Sequence, residues 1–210
     1  MSSLAAQERR HLTTLARQLG PDAPTLCEGW TVRDLVAHLV VREGSPVALG
    51  IAVPAVRAAA ERERVRRSHE EFTGLVDRLR DGPPVLSVFR VPGADRALST
   101  TEFLVHHEDL RRAQPGWEPR ALPVQVQDAL WRSLRVAGRL AVVRASVGVV
   151  AERPDSGERI TLKGGAGSVV LRGAPAEVLL FVHGRRDHAQ VELLGDESAL
   201  ASLRATRLGV

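Results

Sequence analysis

The sequence predicts an α+β fold: an N-terminal four-helix bundle over residues 1–145, then a small C-terminal α/β domain over residues 146–210. Up to about residue 145, apolar residues recur at helical spacing between Gly and Pro stops. Beyond it, "SVGVVAERPDSGERITLKGGAGSVVLRG" has short β-rich runs broken by turn residues. A chain of 210 residues is long enough for one large domain or two small ones with their own cores.

Each element has its own signal. Residues 3–19 read as an amphipathic helix stopped by Gly20-Pro21. "DAPTLCEGW" is a loop. In "TVRDLVAHLVVRE", Thr31 is the expected N-cap and Asp34 holds the capping-box position, while Val32, Leu35, Val36, Leu39 and Val40 form the apolar stripe. Residues 55–80 suit one long helix with Val65, Phe72, Val76 and Leu79 inward, ended by Gly82-Pro83-Pro84. Residues 99–113 form a helix stopped by Pro115-Gly116, and residues 124–143 read as helical again. In the second domain "APAEVLLFVHG" is a helix closed by Gly184, "AQVELLG" a strand and "DESALASLRAT" a final helix.

Composition narrows the function. The single cysteine, Cys27, permits no intrachain disulfide, which suits a reducing compartment. The opening carries charges from residue 8 and no long apolar run, so a cytoplasmic protein without a membrane partner is expected. The net charge is +4, and Lys163 is the only lysine. The arginines interleave with acids, as in "AERERVRRSHEEF", a pattern of solvated helix faces. With no tyrosine and few other aromatics, nucleic acid is not an expected partner.

The stretch "TTEFLVHHEDLRRA" carries the chemistry. Adjacent helical residues point about 100° apart, so His106 and His107 cannot serve one site. Glu102 and His106 stack one turn apart, with Asp109 close to the same line, between flanking Phe103, Leu110 and Val105. His106 is therefore expected to face in. His107, Glu108, Arg111 and Arg112 are expected to face solvent. Burying a carboxylate and an imidazole unpaired is costly, and ligation of one cation is a reason to do so. His38 on the Thr31 helix is the candidate third ligand, with Asp34 one turn before it as an outer hydrogen-bond partner. A plain hydrogen-bonded Glu102–His106 pair is the simpler reading of the spacing alone. His69 falls in register with Val65, Phe72 and Val76 as a cavity-lining candidate or a core histidine. Trp30 is a candidate pocket wall or a core-packing residue, and Cys27, near the site entrance, is a candidate nucleophile or redox contact whose simpler reading is a small buried apolar residue. "HGRRDH" reads as a solvated turn, and "KGGAGS" lacks the ending of a phosphate loop.

"LCEGWTVRDLVAHLV" followed at a distance by "EFLVHHEDLRRA" resembles the DinB-like four-helix proteins, and within them the mycothiol-dependent maleylpyruvate isomerase family. That family places a Trp-containing loop before a helix with a metal-binding His, and E-x-x-x-H-x-x-D-L on a later helix. Those positions fall on Trp30, His38, Glu102, His106, Asp109 and Leu110. The tail is similar to the family's small sterol-carrier-like domain. The resemblance implies a divalent metal, zinc above all, and a low-molecular-weight thiol, mycothiol, as cosubstrate. It implies a thiol-dependent isomerase or S-transferase acting on a small electrophilic substrate. Two other classes remain open: a non-catalytic metal-binding regulatory or sensor module, which shares the same ligands, and a bundle whose metal is purely structural.

Overall fold

The computed structural model describes residues 3–44, 54–83 and 96–209. By packing, the chain divides into two compact units, Met1–Glu118 and Pro119–Val210.

The first unit is helical. Helix α1 (Leu4–Leu19) is N-capped by Ser3 and ends at Gly20. Helix α2 (Val32–Gly44) buries the whole expected stripe from Val32 to Val40. At its start the Asp34 side chain turns back on Thr31, as the capping-box spacing suggests, and the Thr31 N–H and hydroxyl both donate to Asp34 Oδ2, at 3.1 and 2.9 Å. The stretch expected as one long helix is two, α3 (Pro54–Ser68) and α4 (Phe72–Asp81). The break has a local cause. The Glu71 carboxylate accepts the Thr73 and Gly74 N–H groups at 2.8 and 2.6 Å and so N-caps a new helix. The break also ends the common register: Val65 is 42 % exposed, whereas Val76 and Leu79 are buried. Gly82 terminates α4 with φ +91, and Pro84 lies outside the described residues. Helix α5 (Arg96–Arg112) packs along α1. Leu12, Leu35, Leu39, Leu75, Leu79 and Phe103 sit in the shared core.

The second unit opens with helix α6 (Val124–Ser133), which runs through a π-helical segment, Leu134–Gly138, into the short α7 (Arg139–Ala141). The change of texture near residue 145 is the passage from these helices to strand β1 (Gly148–Glu152). Helix α6 packs against α8 (Pro175–Val182), which places it with the sheet's unit. Strands β2 (Arg159–Lys163), β3 (Ser168–Arg172) and β4 (Glu192–Leu194) complete a sheet of order β2-β1-β3-β4. Its inner pair β1/β3 is parallel and both outer pairs are antiparallel. Helix α8 is buried along its length, and Glu177 within it accepts the Gln190 N–H at 2.9 Å. Helix α9 (Glu197–Ala205) follows β4. The fold class is thus α+β, helices plus a small four-stranded sheet. Among the described residues no helix is long and apolar enough to cross a membrane.

Candidate metal centre

Helix α5 is buried on every side from Phe103 to Leu110, and this decides how its polar residues are used. Glu102 and His106 share one face, as their spacing requires. His106 Nε2 lies 3.4 Å from Glu102 Oε1. His38 of α2 meets the same oxygen, with its Nε2 also at 3.4 Å. The His38 and His106 rings are 5.4 Å apart between centroids. Three donor atoms therefore converge between two helices of one unit.

The donor set fits a divalent ion. Four-coordinate bonds of about 2.0–2.1 Å space the ligand atoms roughly 3.3–3.5 Å apart. The two 3.4 Å separations match that edge, and they are long for N–H···O hydrogen bonds. His106 is oriented from behind: its Nδ1–H donates to Asp109 Oδ2 at 2.9 Å, with Asp109 wholly buried. That leaves Nε2 aimed at Glu102, the arrangement in which an outer carboxylate fixes a ligand imidazole. Asp109, one of the residues singled out from the sequence, thus lies behind the His106 ring.

Other expected residues are distributed differently. Asp34 serves Thr31 and, at 2.5 Å, the Arg64 guanidinium, so its recorded bonds go to the helix cap and to Arg64 rather than to His38. His69 is exposed after the end of α3, where its Nδ1 meets the Val65 carbonyl at 2.7 Å; the helix break carries it away from the cavity register. Trp30 does adjoin the site, its ring 5.1 Å from that of His38. The Arg64 guanidinium lies 4.8 Å over the other partner of this stack, the Trp30 ring. Trp30 is delivered by a turn in which Gly29 takes φ +74 and the Trp30 N–H donates to the Cys27 carbonyl at 2.9 Å. The same loop is pinned to α5 by the Leu26 N–H on the Asp109 carbonyl.

Arg42 was not assigned to the site from the sequence, and Cys27 was placed only near its entrance. Arg42 brings Nε to 3.2 Å from Glu102 Oε1. It follows His38 by one helical turn, so the spacing held that signal. Cys27 is half-buried and is more than a packing residue: its Sγ donates to Asp109 Oδ2 at 3.2 Å and lies 3.8 Å from His106 Nδ1.

The charges follow from these contacts. Burial opposes ionisation of Glu102, but hydrogen bonds from His106 and His38, with the charges of His106 and Arg42, hold its carboxyl well below the usual range. Burial likewise opposes a charged His106, yet Asp109, Cys27 and Glu102 raise it well above an ordinary histidine. Burial dominates at His38 and lowers it.

The expectation that His107, Glu108, Arg111 and Arg112 face solvent is overturned for three of the four. His107, Glu108 and Arg112 are buried, and Arg111 is partly so. Helical spacing alone implies one buried face, whereas α1 and the segment after α5 cover the other. His107 Nδ1 meets Glu8 Oε2 of α1 at 2.8 Å. Glu108 accepts Arg112 at 2.6 Å and Arg111 at 3.0 Å, and Arg112 lies 4.8 Å over Trp117.

Comparison with known proteins agrees with the fold. Residues 4–58 match the family described as mycothiol maleylpyruvate isomerase N-terminal domain. No curated protein matches significantly. The crystal structure of a mycothiol-dependent maleylpyruvate isomerase is similar with a TM-score of 0.60 and 18 % identity, over 90 % of each chain. An alanine mutant of a mycothiol-dependent maleylpyruvate isomerase is similar with a TM-score of 0.62 and 17 % identity, again over 90 % of each.

Proposed function

From a first unit that carries the mycothiol maleylpyruvate isomerase N-terminal signature, we propose that this chain is a zinc-dependent enzyme that uses a low-molecular-weight thiol on a small electrophile. Isomerisation and S-transfer are the two reaction classes that fit. The observation that carries this reading is the convergence of His38 Nε2, His106 Nε2 and Glu102 Oε1 at 3.4 Å edges. A bound divalent cation supplies one thing here, a lowered thiol pKa that presents the cosubstrate as thiolate at neutral pH.

The chain's own residues do the rest. Glu102 offers the negative charge and Arg42 braces it. Asp109 holds the His106 ring in the tautomer that points Nε2 at the site. Trp30 packs against the His38 ring at a tilt, with 5.1 Å between centroids. Three protein ligands are one fewer than zinc's usual four, which leaves a position for an exogenous sulfur. Cys27 contacts Asp109 and His106 on the Nδ1 side of the ring, so it is not the protein atom that fills that position.

Cobalt substitution tests the reading. Metal-free protein loaded with Co2+ should gain a sulfur-to-metal charge-transfer band on addition of a small thiol. Cys27→Ala should respond alike, which excludes the protein's own sulfur. A spectrum indifferent to every thiol would instead favour a structural ion or a sensor.

A further inference from the structure

The second histidine of the pair also has a setting of its own. His107 and Glu8 are both buried, and their side chains touch across the α1–α5 contact. His11 follows Glu8 by three residues on α1 and brings its Nδ1 to 3.9 Å from Glu8 Oε1. The His11 and His107 rings stand 5.8 Å apart between centroids at 45°. Two imidazoles sharing one ion through N–metal bonds of about 2.0–2.1 Å place their centroids roughly 5–6 Å apart. The His38–His106 pair, at 5.4 Å, has nearly the same spacing.

This cluster opens to the outside. A depression of about 300 Å³ is lined by His11, Thr14, Leu15, Gln18, His107 and Arg111. The Arg111 guanidinium in it is engaged by both Glu108 oxygens at 3.0 Å and by the Glu118 carbonyl at 3.1 Å. Behind this lining, Glu8 contributes the one carboxylate of the cluster.

We propose that Glu8, His11 and His107 form a second divalent-metal site, on the α1-facing side of α5, for a borderline cation such as Zn2+, Ni2+ or Cu2+. One oxygen and two imidazole nitrogens suit that class and not Ca2+ or Mg2+, which take oxygen ligands. The three side chains offer one donor atom each, all within 4.8 Å of one another. Helical geometry explains the layout: adjacent residues diverge by about 100°, so His106 and His107 address two neighbouring helices. The site is independent of the reading given to His38, Glu102 and His106.

Equilibrium dialysis of the full metal-free chain against Zn2+ alone, with metal counted per chain, decides the matter. His11 is 59 % exposed in its side chain, so His11→Ala is expected to fold. It should bind one Zn2+ fewer than the wild type. His107→Gln should lose the same equivalent, and the double variant should lose no more than one. Equal zinc in wild type and His11→Ala overturns the site. So does a double variant that loses two equivalents, because the histidines would then bind separately.

Discussion

His106 and His107 are neighbours in the chain, yet they work with different helices. His106 meets α2 through Glu102 and His38, with Asp109 behind it. His107 meets α1 through Glu8 and His11. On a helix buried all round, polar residues sort by the partner helix they face, and the inside–outside division of a surface helix does not apply. The comparison also separates two kinds of buried carboxylate. Glu102 is approached by two imidazoles and Arg42, and it is held well below its ordinary value. Glu43 of α2 has burial against it, and the nearby Arg9 and Arg42 do not compensate, so its carboxyl is pushed up to about 7.

The largest expected effect breaks one face and spares the other. Glu102→Ala removes the oxygen shared by both imidazoles and should weaken metal binding at the His38–His106 face by more than about 100-fold, beyond what loss of an outer partner costs. The zinc equivalent that depends on His11 should persist. Loss of both equivalents together would show that the two faces are one cooperative unit.

The next effect concerns Glu43, which joins α2 directly to Arg9 of α1 without using α5. Its folded-state value near 7 lies above the ordinary 4.5, so folding favours the protonated form. The contribution to stability is whole below about 4.5 and is lost as pH rises through about 7. The difference corresponds to roughly 3 kcal/mol at most. Denaturation of wild type and Glu43→Gln should therefore diverge over that window, with the variant the more stable above it. A wild type that gains on the variant as pH rises would reverse the sign and place Glu43 among well-solvated ion pairs.

Asp109→Asn probes the outer partner. Asparagine keeps the shape and loses the charge that fixes His106. Metal affinity at this face should fall about 10–100-fold, by titration with Co2+. A variant that binds as wild type would mean that the His38 and Glu102 positions alone orient the ion.

Much of this was legible in the sequence. The E-x-x-x-H-x-x-D line on α5 and the capped helix carrying His38 came from periodicity and spacing, because both depend on local geometry alone. What was not legible depends on packing at a distance. Nothing near His107 announces Glu8, which is 99 residues away in the chain. The break between α3 and α4 rests on one glutamate turning its side chain onto two N–H groups, a choice that helical propensity does not forbid. Once that break is present, His69 leaves the register that had made it a cavity candidate.

The smallest expected effect tests the two aspartates against each other. Asp34 and Asp109 each lie within about one turn of a candidate ligand histidine, and spacing alone gives both the same role. The structure separates them. Asp109 bonds His106, whereas the bonds of Asp34 go to Thr31 and Arg64. Asp34→Ala should therefore cost stability, about 1 kcal/mol for the lost cap and its ion pair, read from thermal or denaturant unfolding. Metal affinity should move by less than the tenfold floor expected for an outer partner, since His38 is held by the Trp30 ring instead. Arg64 links the two outcomes, because it both pairs with Asp34 and covers Trp30. Trp30 fluorescence should thus change in Asp34→Ala even where Co2+ binding does not. A tenfold or greater loss of Co2+ affinity would return Asp34 to the role that its position before His38 first suggested.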